Sequence, residues 1–226
     1  MTLEETIRRI RSVDQKAKED AKAHWDGLGK PLGSLGRLED VIVQIAGIQR
    51  TPQIHIEKKA LVIMCADNGV VEEGVTQCGQ EVTASVAENF LDEKSCVAIM
   101  CKRAGAGIYP VDIGMAVDTP RIEKRKVAYG TKNMTKEPAM TRAQAVATIE
   151  AGIAKAQELK NLGYELLATG EMGIGNTTTS SAMTAVFLGM EPERVTGRGA
   201  GLSGAGLKRK VRAIWRAISL HEPDAS

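Results

Sequence analysis

The chain has 226 residues, 43% apolar and 26% charged, which suits a soluble globular protein able to bury a sizeable core. Thirty Lys and Arg against 28 Asp and Glu leave a net charge of +2, so no global field draws the protein to nucleic acid or to a membrane. Aromatic residues are 3%, and the 3 histidines and 4 cysteines are scattered without ligand spacing, which argues against a base-stacking platform and against a protein-bound catalytic metal.

The N-terminal stretch "MTLEETIRRIRSVDQ" lacks an apolar signal core, and no apolar run reaches membrane length, so a cytoplasmic location is expected. Thr2 and Glu5 form a capping box for a first helix carrying Leu3, Ile7 and Ile10 on one face. A second, polar helix is expected over Lys16–Trp25, ending at Gly27. "GKPLGSLGRLED" follows, with more glycine than a helix start needs; it reads either as a ligand-facing loop or as an interdomain turn. Ser34 is placed to cap a helix with Leu35, Leu38, Ile42 and Ile45, and Pro52 ends this helical segment, residues 1–52.

From residue 53 to 226 the period changes. "ALVIMCAD" is a continuous apolar run ending in Asp67, the pattern of a strand buried on both faces, and Cys65 within it reads as a buried, reduced thiol. Helices are expected around Glu81–Leu91 and Lys94–Arg103. A second strand follows in "GIYPVDIG", ending at Asp112, with a short one near Val127–Tyr129. Thr141 and Gln144 form a capping box for a helix whose apolar face is Val146, Ile149, Ile153 and Ala156. "YELLATG" is a further strand, and it leads into "GEMGIGNTTTSSA", where a helix begins at about Thr177 and stops at Gly189. Leu207, Val211, Ile214, Trp215 and Ile218 mark a last amphipathic helix. Strands alternating with helices imply an α/β domain with a mainly parallel sheet and helices on both faces. Ligands of such sheets bind beyond the carboxyl ends of the strands, where Asp67, Asp112 and Glu171 fall.

"GEMGIGNTTTSSA" nearly spells a nucleotide-triphosphate loop but carries Asn176 where that motif has lysine. A strand, a glycine turn and a helix start still gather backbone N–H groups and the positive helix end at one spot, which suits a single phosphate. Gly173 and Gly175 would let the backbone approach it closely. The plain alternative is a tight turn capped by Asn176. "GRGAGLSG" contains Gly199, Gly201 and Gly204 at dinucleotide-fingerprint spacing, but without the preceding strand that fingerprint requires. With Lys208, Arg209 and Lys210 behind it, it reads as a substrate-facing loop or as the start of a solvated helix face.

Taken together and in this order, "KPLGSLGRLE", "ADNGVVEEGVT", "GEMGIGNTTTSSA" and "VTGRGAGLS" resemble the nicotinate-nucleotide–dimethylbenzimidazole phosphoribosyltransferase family of cobalamin lower-ligand synthesis, over essentially the whole chain. The resemblance implies a Rossmann-like sheet, a small helical domain to which residues 1–52 contribute, a homodimer and no cofactor. It implies phosphoribosyl transfer from nicotinate mononucleotide to 5,6-dimethylbenzimidazole. By the same resemblance Gly173, Gly175, Asn176 and Thr177 hold the nucleotide phosphate, Lys210 lies near it, and Glu171 borders the reacting centre. Asp67 counts among the substrate-binding residues, and Thr76 lines the base slot. Ala84 stands where some members have glutamine, so that base contact is expected to be missing. Family chains continue past the point matching Ser226, into a further glycine-rich loop and a late glutamate regarded as the general base. The chain is therefore expected to be a fragment, weakly active or inactive by itself. Two other readings remain: a nucleotide-binding domain that keeps the cradle without the base, and a nicotinamide-linked oxidoreductase built on "GAGLSG".

Overall fold

The computed structural model describes residues 1–225. The chain divides into two compact units, Met1–Lys58 and Lys59–Ser226.

The first unit is helical. α1 (Leu3–Arg9) carries the reciprocal Thr2–Glu5 cap, and α2 (Gln15–Asp26) is capped by the Asp14 carboxylate and ends at Gly27. α3 (Arg37–Gln49) packs on α2 through small residues, with Ala17, Ala21 and Ala46 buried at the contact. A Cβ on Gly47 would lie 2.6 Å from the Lys18 side chain, so a larger residue would have to displace that side chain. Ser34 does not cap α3. Its N–H donates to the Pro31 carbonyl (3.2 Å) in a turn, and Gly36 at φ +58° stands at the N-cap. Leu35 thus falls outside the helix, and its N–H donates to Glu39 Oε1 (3.1 Å). Gly33 and Gly36 both sit at positive φ, so the chain makes turns where the sequence pattern suggested an earlier helix start.

The second unit holds a sheet of order β3-β2-β1-β4, all parallel. Its strands are β1 (Lys59–Ala66), β2 (Ala106–Gly114), β3 (Glu123–Lys124) and β4 (Leu166–Met172). The apolar run in β1 is explained by cover on both faces. Ile63 and Cys65 pack with Ala84, Ala87 and Phe90 of α4 (Glu81–Leu91), while Ala60 and Val62 pack with Leu159 of α6 (Arg142–Asn161). Burial pushes the Cys65 thiol up to about 12. α5 (Cys96–Ala104) joins the first face. α7 (Asn176–Leu188), the short α8 (Pro192–Val195) and α9 (Gly204–His221) complete the unit. Ile214, Ala213 and Ala217 of α9 pack on Val70 and Val75. Among the described residues no helix is long and apolar enough to cross a membrane.

Two expectations fail here. The short strand lies at Glu123–Lys124 and not at Val127–Tyr129. The expected stripe on α6 is only half inward, with Val146 and Ile153 part-buried, Ile149 and Ala156 exposed, and Lys155 and Leu159 buried instead. Lys155 is 2% exposed and pairs with Glu123 Oε2 (2.6 Å) and Glu158 Oε1 (2.8 Å), while Arg125 bonds both carboxylates. A part-buried ion cluster around the fully buried Lys155 thus joins the short strand to α6, and apolar periodicity does not register it.

The Thr141 cap of α6 is present in full: its Oγ1 accepts from Gln144 N–H (3.2 Å), and Gln144 Oε1 accepts from Thr141 N–H (2.9 Å). Replacing Thr141 with alanine is expected to lower folding stability by about 1 kcal/mol, read as a lower urea midpoint at unchanged slope.

Candidate functional site

β1 lies between β2 and β4, so the order in which strands are added switches sides at β1, and the loops beyond β1 and β4 meet at that switch. β4 ends at Met172; Gly173, Ile174 and Gly175 make the turn, and α7 starts at Asn176. A side chain on Gly173 would overlap the Ala66 carbonyl oxygen, and Gly175 adopts φ +91° against Val71 and Asn68. The turn is therefore pressed onto the end of β1, with the first-turn amides of α7 beside it.

Lys210 approaches from α9. It is 1% exposed, and its Nζ donates to Thr177 Oγ1 (2.7 Å) and the Gly197 carbonyl (3.1 Å), neither of them charged. Burial lowers its pKa from the ordinary lysine value. Gly199, at φ +56°, has room only for hydrogen: a Cβ there would come within 2.8 Å of Thr177 Oγ1 and 3.4 Å of Lys210 Nζ. The stretch "GRGAGLSG" is thus laid over Thr177 and Lys210, and it follows α8 and not a strand, against a dinucleotide fingerprint.

The Asn176 side-chain amide donates to the Glu171 carboxylate. Glu171 is exposed as a residue, yet enough protein surrounds its carboxyl that desolvation raises its pKa; the Asn176 bond opposes this and the Asp67 charge adds to it. With a folded pKa above the unfolded one, the stabilising contribution of Glu171 is complete below its ordinary value and is lost as pH rises through the folded value. The stability of Glu171→Gln relative to wild type is accordingly expected to grow from about pH 4.5 upward and then level off, as urea midpoints across pH would show. A constant difference would contradict the shift.

Other expected site residues are placed differently. Thr76 Oγ1 donates to the Cys78 carbonyl (2.8 Å), and the adjacent Gln77 side chain donates to the Gly201 carbonyl, tying this loop to the glycine stretch. Ala84 is buried in the core against β1. Asp67 is fully buried: Oδ1 accepts from Thr83 Oγ1 (2.6 Å) and Oδ2 from Ala116 N–H (2.8 Å). Burial raises its pKa, and these two hydrogen bonds oppose the rise. Asp112 is likewise buried, accepting from Gly114 and Met115 N–H and pairing with Lys126 (3.2 Å). Sequence reasoning missed Thr83, whose hydroxyl accepts from Ile174 N–H (3.1 Å). Asn68 carries one visible signal, its place at the end of the apolar strand; its side chain donates to the Ile174 carbonyl (3.2 Å).

A cavity of about 980 Å³ opens over the carboxyl ends of β1 and β2, lined by Val71, Gln80, Ile113, Tyr129 and Met140 among others. It reaches Asp67 but does not include Glu171, Asn176 or Lys210. Beside it stands a second group of candidate residues, at the loop between β4 and α7. What converges there is a helix N-terminus, two close-packed glycines, a buried ammonium with no carboxylate in contact among the described residues, and an exposed carboxylate with a raised pKa. Such a set can hold one phosphate and place a proton acceptor near its sugar.

Residues 10–226 match the family model described as "Phosphoribosyltransferase". The nicotinate-nucleotide–dimethylbenzimidazole phosphoribosyltransferases of Clostridium tetani and Acetivibrio thermocellus are 46% and 47% identical, each over 98% of this chain. The chain spans 62% and 64% of their lengths. Among solved structures, CobT from Thermus thermophilus superposes with a TM-score of 0.86 at 38% identity, covering 92% of this chain and 63% of that one.

Proposed function

This chain belongs to the nicotinate-nucleotide–dimethylbenzimidazole phosphoribosyltransferase family, and on that premise we propose that it moves the phosphoribosyl group of nicotinate mononucleotide onto 5,6-dimethylbenzimidazole. The observation that carries the reading is Lys210, a buried ammonium held by neutral acceptors at the start of α7. A buried cation without an anion beside it is costly, and a bound phosphate would supply one. Gly173, Gly175, Asn176 and Thr177 would grip that phosphate, and Thr76 would border the base.

In the reaction, a benzimidazole ring nitrogen forms a bond to the anomeric carbon on the face opposite nicotinate. The bond to the pyridinium nitrogen breaks, and its electron pair stays on that nitrogen, which loses its positive charge as nicotinate departs. The proton on the second benzimidazole nitrogen then leaves, giving α-ribazole 5′-phosphate with inverted configuration. Chemistry of this kind asks chiefly for positioning and a proton acceptor. Glu171 would border that centre in a secondary role, its raised pKa favouring proton uptake, with the late glutamate of the family as the main general base.

We also place the protein in the cytoplasm as a homodimer. Support for association comes from the apolar outer side of α7, where Met183, Phe187 and Leu188 are 54%, 60% and 62% exposed. Sedimentation analysis should give twice the monomer mass. The activity is tested by supplying nicotinate mononucleotide and 5,6-dimethylbenzimidazole to this chain, and to the chain joined to the remaining third of the Acetivibrio thermocellus relative. Chromatography should show nicotinate and α-ribazole 5′-phosphate in equal amounts. No nicotinate from either protein, with dimethylbenzimidazole, benzimidazole or adenine as acceptor, would overturn the assignment.

A further inference from the structure

We propose that Thr83 and Asn68 are positioning residues that orient the Gly175 amide towards the phosphate before any ligand arrives; this rests on the phosphate reading of the loop. The geometry involves both polar groups of Ile174. Its N–H donates to Thr83 Oγ1 (3.1 Å), and its carbonyl accepts from Asn68 Nδ2 (3.2 Å).

Neither clamp is free to turn. The single hydroxyl proton of Thr83 is committed to Asp67 Oδ1 (2.6 Å), so a lone pair must face the loop. The Asp67 carboxylate is fixed in turn by Ala116 N–H on Oδ2 (2.8 Å). Asn68 Oδ1 accepts from Thr179 Oγ1 (3.0 Å), which sets the side-chain amide the right way round, and the Asn68 carbonyl accepts from Gln80 Nε2 (3.1 Å).

Peptide planarity carries these constraints forward. In a trans peptide the N–H points opposite to the preceding carbonyl. An Ile174 carbonyl held towards Asn68 therefore turns the Gly175 N–H away from Asn68. Likewise, an Ile174 N–H held by Thr83 turns the Gly173 carbonyl the other way, where it accepts from Asn176 N–H (3.1 Å). The dipoles of the turn are thus fixed from behind by a relay from Ala116 through Asp67 and Thr83. A donor oriented in advance loses little freedom on binding, which is why these contacts bear on affinity and not only on folding.

The test uses the 226-residue chain with inorganic phosphate as the probe, in wild type, Thr83→Val, Thr83→Ser and Asn68→Ala. Amide NMR reads phosphate affinity from the Gly175 resonance, and hydrogen exchange reads the Ile174 amide in the free protein. Wild type and Thr83→Ser should bind alike, with Ile174 protected. Thr83→Val and Asn68→Ala should bind about tenfold more weakly, with the Gly175 resonance displaced even without phosphate and Ile174 exchanging fast in Thr83→Val. If Thr83→Val does not fold, the comparison of Asn68→Ala with wild type and Thr83→Ser decides. Wild-type affinity in a folded Thr83→Val or in Asn68→Ala overturns the positioning role while the phosphate site stands. No phosphate response in wild type overturns both.

Discussion

Replacing Lys210 with methionine should weaken nicotinate mononucleotide binding by about ten- to a hundredfold, while changing folding stability by no more than about 1 kcal/mol. The two effects separate because the ammonium is expensive without ligand and valuable with it. In the free protein it is 1% exposed and bonded to the Thr177 hydroxyl and the Gly197 carbonyl. Folding lowers its pKa by desolvation, so at neutral pH the charged lysine costs stability, and that cost fades only as pH rises towards the ordinary lysine range. Methionine removes the cost and leaves two acceptors short of a donor, which roughly offsets the gain. A phosphate at the start of α7 would complete the site, and a charge-assisted bond to it is of the strength whose loss gives one to two decades in affinity. Calorimetric titration and urea unfolding read the two halves independently. Affinity within twofold of wild type would remove Lys210 from the phosphate site.

Much of this site was legible because its signals are local. "GEMGIGN" announces itself through an apolar strand lead-in, two glycines and a helix start, and the loop lies where those signals put it. The first helix follows from its cap, and the covered parallel sheet from apolar runs alternating with helices, in the same way. What escaped depends on partners distant in the chain. Thr83 looks like any helix residue until Ile174 is folded onto it. The inward place of Lys155 on α6 goes with its pairing to Glu123, and a lysine counts as polar in any periodic pattern whether or not a carboxylate awaits it. Asp67 was visible as a polar residue at a strand end. Only the fold shows that its carboxylate is directed inwards, to Thr83 and Ala116.

Gly173→Ala should be the most damaging single methyl in the loop, costing about 3 kcal/mol of stability and abolishing phosphate binding where the protein still folds. No unusual φ is involved; the obstacle is steric. The added Cβ would overlap the Ala66 carbonyl oxygen and come within 2.8 Å of Glu171 Oε1 and 3.1 Å of Asn68 Nδ2. Ala66 ends β1, the strand paired on both sides, so that oxygen cannot retreat without disturbing the sheet. Two glycines supply the comparison. Gly175→Ala meets a movable methyl of Val71 at 2.9 Å and strain at φ +91°, and should cost about 1–3 kcal/mol. Gly189→Ala, at φ +58° with no atom within 4 Å, should cost about 1 kcal/mol and leave ligand binding intact. The expected order of urea midpoints is wild type, Gly189→Ala, Gly175→Ala, Gly173→Ala. A Gly173→Ala protein as stable as Gly189→Ala would mean that the loop does not rest on the end of β1. The close approach of backbone to phosphate at this turn would then lose its structural basis.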